Sequence, residues 1–189
     1  GSRREFLAAT RSPDGSALSL MARALRPMIL RRTKGEVLKE LPEKTELTLY
    51  CELEGDDERL YGELRDHYRN TLTAKIQKDG LEKSRIHVLE ALLRLRQAAC
   101  HPGLIDANRK KDGSAKLDTL LDQLQEIAEE GHKALVFSQF VQLLDIVRGR
   151  LDHEKIPYAY LDGRTVDRES QVKRFQEDPD TKLFLISLK

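Results

Sequence analysis

The chain has 189 residues, of which 39% are hydrophobic and 34% charged, with no tryptophan and 5% aromatics. That is a folded composition with an aliphatic, leucine-built core and a heavily charged surface. A formal net charge of +1 excludes bulk electrostatic attraction to nucleic acid, so any such contact must be local.

Gly1-Ser2 reads as a scar of expression. Residues 1–34 carry eight basic side chains against Glu5 and Asp14, leaving +6 there and −5 over the remainder. Residues 16–26 have apolar spacing suited to a short helix, which Pro27 limits. Residues 45–53 alternate, with Leu47, Leu49, Cys51 and Leu53 on one side, and predict a half-buried strand. Gly55, Asp56 and Asp57 then supply a turn and an acidic helix start. A charged helix follows over about 57–78, with Leu60, Leu64, His67/Tyr68 and Leu72 as its stripe. A second helix over about 82–99 is expected to bury Ile86, Leu89, Leu92, Leu93 and Cys100, and His101-Pro102-Gly103 ends it. Residues 106–115 are polar and read as a loop or linker containing the basic run Arg109, Lys110, Lys111.

Beyond that point the pattern changes. Ser114 is placed to cap a helix through Glu130, and Gly131 to stop it. Ala134–Phe137 is a continuous apolar run, the mark of a buried parallel strand. Residues 139–153 return to helical spacing. Residues 157–161 read as a second strand, 166–177 as a helix using Val166, Val172 and Phe175, and 182–187 as a third strand. Strands alternating with helices over short connections predict a right-handed parallel α/β sheet. Ligands of such sheets sit at the strands' C-terminal ends. The residues there are Ser138-Gln139, Asp162-Gly163-Arg164-Thr165 and Ser187-Leu188-Lys189. A third strand at the very end of the chain predicts an incomplete sheet whose unpaired edge favours self-association.

Two cysteines, Cys51 and Cys100, exclude a disulfide scaffold and read as buried thiols in a reducing compartment. No apolar run approaches the ~20 residues needed to span a bilayer. The sequence contains no GxxxxGK[ST] phosphate loop, no GxGxxG, no Asp-Glu magnesium box and no nucleophile elbow. Its histidines (His67, His87, His101, His132, His153) lack metal-ligand spacing and read as surface or packing residues. From the residues alone this is an α/β domain with a helical appendage. A helical protein-interaction module and a Rossmann-like ligand domain both remain open.

Six strings in order carry a resemblance. LRPMILRRTK at 25–34 with ELPEKTELTLY at 40–50, RQAACHPGLID at 96–106, SAKLDTLLDQL at 114–124, KALVFSQF at 133–140, YAYLDGRT at 158–165 and KLFLISLK at 182–189 resemble successive blocks of Swi/Snf-type helicase-like ATPases, and more the bacterial branch. The resemblance covers nearly the whole chain from about residue 20. It implies part of a second RecA-like lobe at 111–189, a strand and helical insertion region at 45–110 and an interlobe linker at 1–44. The first lobe, with its phosphate loop and Asp-Glu box, is not in this sequence, nor is the later block that bears the arginine fingers. The resemblance therefore implies ATP and magnesium for the intact protein and none bound by this chain. Its implied partners are double-stranded DNA and the first motor lobe, in the cytoplasm of a bacterium or the nucleus of a eukaryote. It places Ser138, Gln139, Gly163, Arg164, Thr165 and Lys189 on the DNA backbone, and makes Arg31 and Arg32 an interlobe brace. Phosphoryl transfer needs positioned cations around the phosphates. The purified chain should therefore release no phosphate from ATP, with or without DNA; DNA-stimulated release that survives removal of contaminants contradicts this.

Overall fold

The computed structural model describes residues 16–38, 40 and 42–188. The chain divides into two compact units, 1–48 and 49–189. In the first, helix α1 spans Ser16–Leu25 and passes into a 3₁₀ turn, Arg26–Met28, whose Pro27 ends the α-helix as expected. A four-residue helix, α2, covers Lys34–Val37.

A correction falls on the segment that crosses the boundary between the units. Residues 45–53 alternate in hydrophobicity but form no strand. Leu47 and Tyr50 are 81% and 90% exposed. A strand needs a neighbour for its N–H and C=O groups. The described strands all lie between 134 and 187, and none pairs with this segment.

Helices α3 (Gly55–Asp79) and α4 (Leu81–Ala98) form a hairpin about Gly80. Gly80 sits at φ 82°, and its N–H closes α3 on the Ile76 carbonyl at 2.9 Å. Asp56, Asp57 and Glu58 occupy the first turn of α3, where the helix dipole favours acids. Leu60, Leu64, Tyr68 and Leu72 are half-buried, as their spacing predicts, whereas His67 is exposed. On α4 the expected face is reversed. Ser84, Ala91 and Ala98 are buried, Val88 and Leu95 half-buried, and Ile86, Leu89, Leu92 and Leu93 exposed. Positions 84, 88, 91, 95 and 98 alternate steps of four and three, the seam of two closely packed helices. Their small side chains let the backbones approach.

The 106–115 segment is pinned in place. His101, fully buried, accepts from the Gly103 N–H at Nδ1 (2.9 Å), so its Nε2–H donates to the Asp112 carbonyl at 3.0 Å. Ser114 caps helix α5 (Ala115–Glu129) by accepting from the Leu117 N–H, and its hydroxyl donates to the Cys100 carbonyl. The Arg150 guanidinium donates to the Lys111 and Asp112 carbonyls. Arg109, first of the basic run, is held by Asp112 at 2.7 Å. Gly131 stops α5 as predicted, at φ 79°, with its N–H on the Ala128 carbonyl and the His132 N–H on that of Ile127. Cys51 and Cys100 are both free and half-buried, less enclosed than the pattern implied.

Strands β1 (Ala134–Ser138), β2 (Tyr158–Leu161) and β3 (Leu183–Ser187) form a parallel sheet in the order β1-β3-β2. Helix α6 (Val141–Glu154) joins β1 to β2, and α7 (Arg168–Glu177) joins β2 to β3. One sheet face carries the core, where Leu117 and Leu124 of α5 and Leu144, Val147 and Leu151 of α6 pack on Leu183 and Leu185. On the other face Phe184 meets Phe175 of α7 at a centroid distance of 5.3 Å. Only Phe175 of the three residues expected to seat that helix does so. Val166 precedes it and is 98% exposed, and Val172 is also exposed. β3 is central, so the sheet's open edges belong to β1 and β2.

Burial holds the His101 pKa below its ordinary 6.5, because the enclosed ring has no room to hydrate a charge. A depressed folded pKa means the unfolded chain takes up the proton first. The stabilisation from neutral His101 is therefore full above about pH 6.5 and is lost as pH falls through the folded value. Denaturation midpoints should decline on the acid side of pH 6.5, and a His101→Gln variant should lose that part of the slope. An unchanged slope contradicts the assignment. A Cβ on Gly103 would lie 2.7 Å from the Lys110 Cα. Gly103→Ala should thus cost ~1–3 kcal/mol through overpacking of backbone that cannot move aside.

Candidate nucleic-acid interface

Parallel register brings the loops after the three strands to one edge. Ser138 lies opposite Ser187, and Leu161 opposite Ile186. The Leu188 N–H donates to the Ser138 carbonyl at 2.9 Å, extending β3 into this edge.

Ser138 is half-buried, and its hydroxyl serves its own turn. It accepts from the Phe140 N–H at 3.0 Å and donates to the Phe140 carbonyl at 3.3 Å. Gln139, next to it, has no hydrogen-bond partner among the described residues. Both line a cavity of about 450 Å³ with Phe140 and Leu188. Arg96 of α4 and Lys116 of α5 line the same cavity. Sequence reasoning missed these two cations, although both stand inside the quoted strings RQAACHPGLID and SAKLDTLLDQL. Only the folded chain brings those strings to the end of β1.

The loop after β2 is organised by the Asp162 carboxylate. Its Oδ1 accepts from the Arg164 N–H at 2.8 Å and from the Thr165 hydroxyl at 3.1 Å. Thr165 Oγ1 in turn accepts from the Asp162 N–H at 2.9 Å. The Tyr160 hydroxyl donates to Asp162 Oδ2 at 3.0 Å. The Arg164 N–H, and then the Tyr160 and Thr165 hydroxyls, hold the Asp162 pKa below the usual carboxylate value. Tyr160 moves oppositely, pushed up to about 12 by burial and by its bond to Asp162. Gly163 and the Arg164 side chain face solvent, whereas Thr165 is half-buried and its proton is committed inward. Gly163 is not among the glycines with positive φ, so no special backbone conformation requires a glycine there.

Lys189 lies outside the described residues. Arg31 and Arg32 are exposed in irregular backbone of the first unit, and neither forms an ion pair among the described residues. The described residues hold no cluster of histidine, cysteine and acidic side chains able to bind a metal. No described helix is long and apolar enough to cross a membrane.

The model of the SNF2-related domain matches residues 3–104, and that of the helicase conserved C-terminal domain matches residues 115–189. The chain belongs to the SNF2 family. Relatives of this SNF2 chain include an uncharacterised ATP-dependent helicase of Mycoplasma pneumoniae, 31% identical over 90% of this chain and 16% of that protein. Another is chromodomain-helicase-DNA-binding protein 1-like of Danio rerio, 34% identical over 87% of this chain and 16% of that protein. The chain thus spans about one-sixth of the length of these relatives. The Sulfolobus solfataricus SWI2/SNF2 ATPase core in complex with dsDNA matches with TM-score 0.68 and 26% identity, over 95% of this chain and 39% of that one. The SWI2/SNF2 ATPase C-terminal domain of the same organism matches with TM-score 0.64 and 25% identity, over 75% of this chain and 62% of that one. The α/β fold is accordingly part of a RecA-like lobe preceded by a helical region.

Proposed function

We propose that this SNF2 chain supplies part of the second motor lobe of an ATP-dependent double-stranded DNA translocase, and that its share is grip on the DNA backbone. The observation that carries this reading is the pair of loops on one sheet edge, the half-buried Gln139 after β1, which has no hydrogen-bond partner among the described residues, and the exposed Gly163-Arg164 after β2. Ser138 and Thr165 belong to the same surface through the turns they brace. An amide, an exposed backbone and one guanidinium can hold phosphates without reading bases, and a motor stepping along any sequence requires that indifference. The dsDNA in the complex of the similar Sulfolobus core supports this ligand.

The residues present do not fit a nucleotide with magnesium. The sequence has no phosphate loop, and no described acidic cluster could hold the ion. ATP belongs in this reading to the first lobe, with Arg31 and Arg32, exposed and unpaired by any carboxylate among the described residues, as the brace between lobes.

Each phosphate neutralised by a lysine or arginine contributes about −0.9 to the log–log salt slope, so Arg164 alone gives a slope of about −0.9. Binding to mixed-sequence duplexes should thus be weak, salt-sensitive and alike for different sequences. Replacing Gln139 and Arg164 together by alanine should weaken it further and flatten the slope by about 0.9, the share of one cation. Equal binding by parent and variant across a salt titration contradicts the assigned surface.

A second reading, an interaction module, draws on α4. Ile86 and Leu89 are 76% and 66% exposed and, with Leu93, line one ridge. Such a ridge favours a protein partner, a second copy of the chain included. Sedimentation equilibrium should show association of the parent that is lost in an Ile86→Glu, Leu89→Glu, Leu93→Glu variant. A monomeric parent contradicts self-association through this face.

A further inference from the structure

We propose that Tyr160 is a positioning residue for the DNA-gripping loop, clamping the Asp162 carboxylate from the sheet side so that Gly163 and Arg164 are presented in one arrangement. This rests on the reading of that loop as a phosphate contact.

Tyr158 and Tyr160, two residues apart on β2, share a face, and Arg148 of α6 lies over both. The guanidinium carbon is 4.2 Å from the Tyr160 ring centroid and 6.0 Å from that of Tyr158. Arg148 is itself oriented at two points. Its Nε donates to the Tyr158 oxygen at 3.3 Å and its Nη1 to Asp145 at 3.4 Å. The Tyr158 hydroxyl donates onward to Asp152 at 3.0 Å. A cation over an aromatic face holds the ring by electrostatic attraction, most strongly where water is partly excluded. The Tyr160 backbone is fixed as well. β2 is an edge strand, and the outward Tyr160 N–H is capped by Gln171 Oε1 of α7 at 3.1 Å. Ring and main chain are thus both held, and the hydroxyl carries the ring's hydrogen bond to the loop.

The link is specific. Asp162 Oδ2 receives Tyr160, which leaves Oδ1 for the Arg164 N–H and the Thr165 hydroxyl. A carboxylate held at one oxygen cannot swing away with the other. Without the phenol the carboxylate keeps only the loop's own donors, which move with it, and the loop loses its hydrogen-bonded tie to the ring. Ordering the loop would then be paid at the moment DNA binds, which weakens binding without removing any group that touches DNA. Nothing in the YAYLDGRT string announces this, because the strut depends on where α6 places Arg148.

The test is fluorescence anisotropy of the full chain with a mixed-sequence 30-base-pair duplex over a series of potassium chloride concentrations. The proteins are the parent, Tyr160→Phe, Arg164→Ala and the double variant. Tyr160→Phe keeps the ring beneath Arg148 and removes only the hydroxyl. It should weaken binding by about fivefold, the scale of one exposed charged contact, with its melting midpoint showing a folded chain. It should also flatten the salt slope by up to ~0.9, as Arg164→Ala does. The double variant should bind like Arg164→Ala alone, because both changes act through one contact. Partial unfolding would lower the active fraction without changing the slope. An Arg164→Ala variant that binds like the parent, or a parent with no salt-dependent binding, overturns the grip reading itself. If Arg164→Ala weakens binding while Tyr160→Phe does not, or the two losses multiply, the grip stands and the positioning role falls.

Discussion

The structure depends on one strand. β3, LFLIS, lies between β1 and β2 and hydrogen-bonds in parallel to both, with Leu183 and Leu185 wholly buried. A central parallel strand must be apolar on both faces because helices cover both, and its neighbours can only be reached by crossovers. The rest of the second unit follows from these two demands. α5 and α6 close one face over Leu117, Leu144, Val147 and Leu151, and α7 reaches the other through Phe175. Parallel strands also end together, which sets Gln139 and Gly163-Arg164 on one edge. The proposed grip is a consequence of sheet topology before it is a property of any side chain.

A second constraint joins the helical hairpin to the sheet. His101 spends both ring nitrogens on backbone, Ser114 bridges the Cys100 carbonyl and the first turn of α5, and Arg150 of α6 holds the Lys111 and Asp112 carbonyls. A polar stretch that reads as a linker is therefore a stitched corner, tied to its neighbours at several points. Through this corner α4 and α5 deliver Arg96 and Lys116 to the cavity at the end of β1.

Much of this was legible in the sequence, for identifiable reasons. The three strands are short continuous apolar runs, although Leu135 and Phe137 of β1 are exposed rather than buried, and Ser114 and Gly131 carry the caps their residue types favour. The failures are equally specific. Residues 45–53 alternate, but alternation states a preference and cannot supply a partner strand. On α4 leucine marked the wrong face, since Ser84, Ala91 and Ala98 pack more closely than Ile86 and Leu89 can. At the candidate interface the structure places Ser138 and Gly163-Arg164-Thr165 at strand ends, where their order in the sequence puts them. Whether a hydroxyl points out or in is a matter of geometry, and Ser138 and Thr165 point in. The strut through Arg148 and Tyr160 joins residues twelve apart, and no local pattern records it.

Amide-resolved nuclear magnetic resonance of the 189-residue chain, titrated with duplex DNA at low salt, tests the central claim most directly. The account predicts that shift changes concentrate at Gln139, Gly163 and Arg164, reverse when salt is raised and are alike for duplexes of unrelated sequence. Changes centred on the α3–α4 hairpin, or a pattern that differs between duplex sequences, would contradict it.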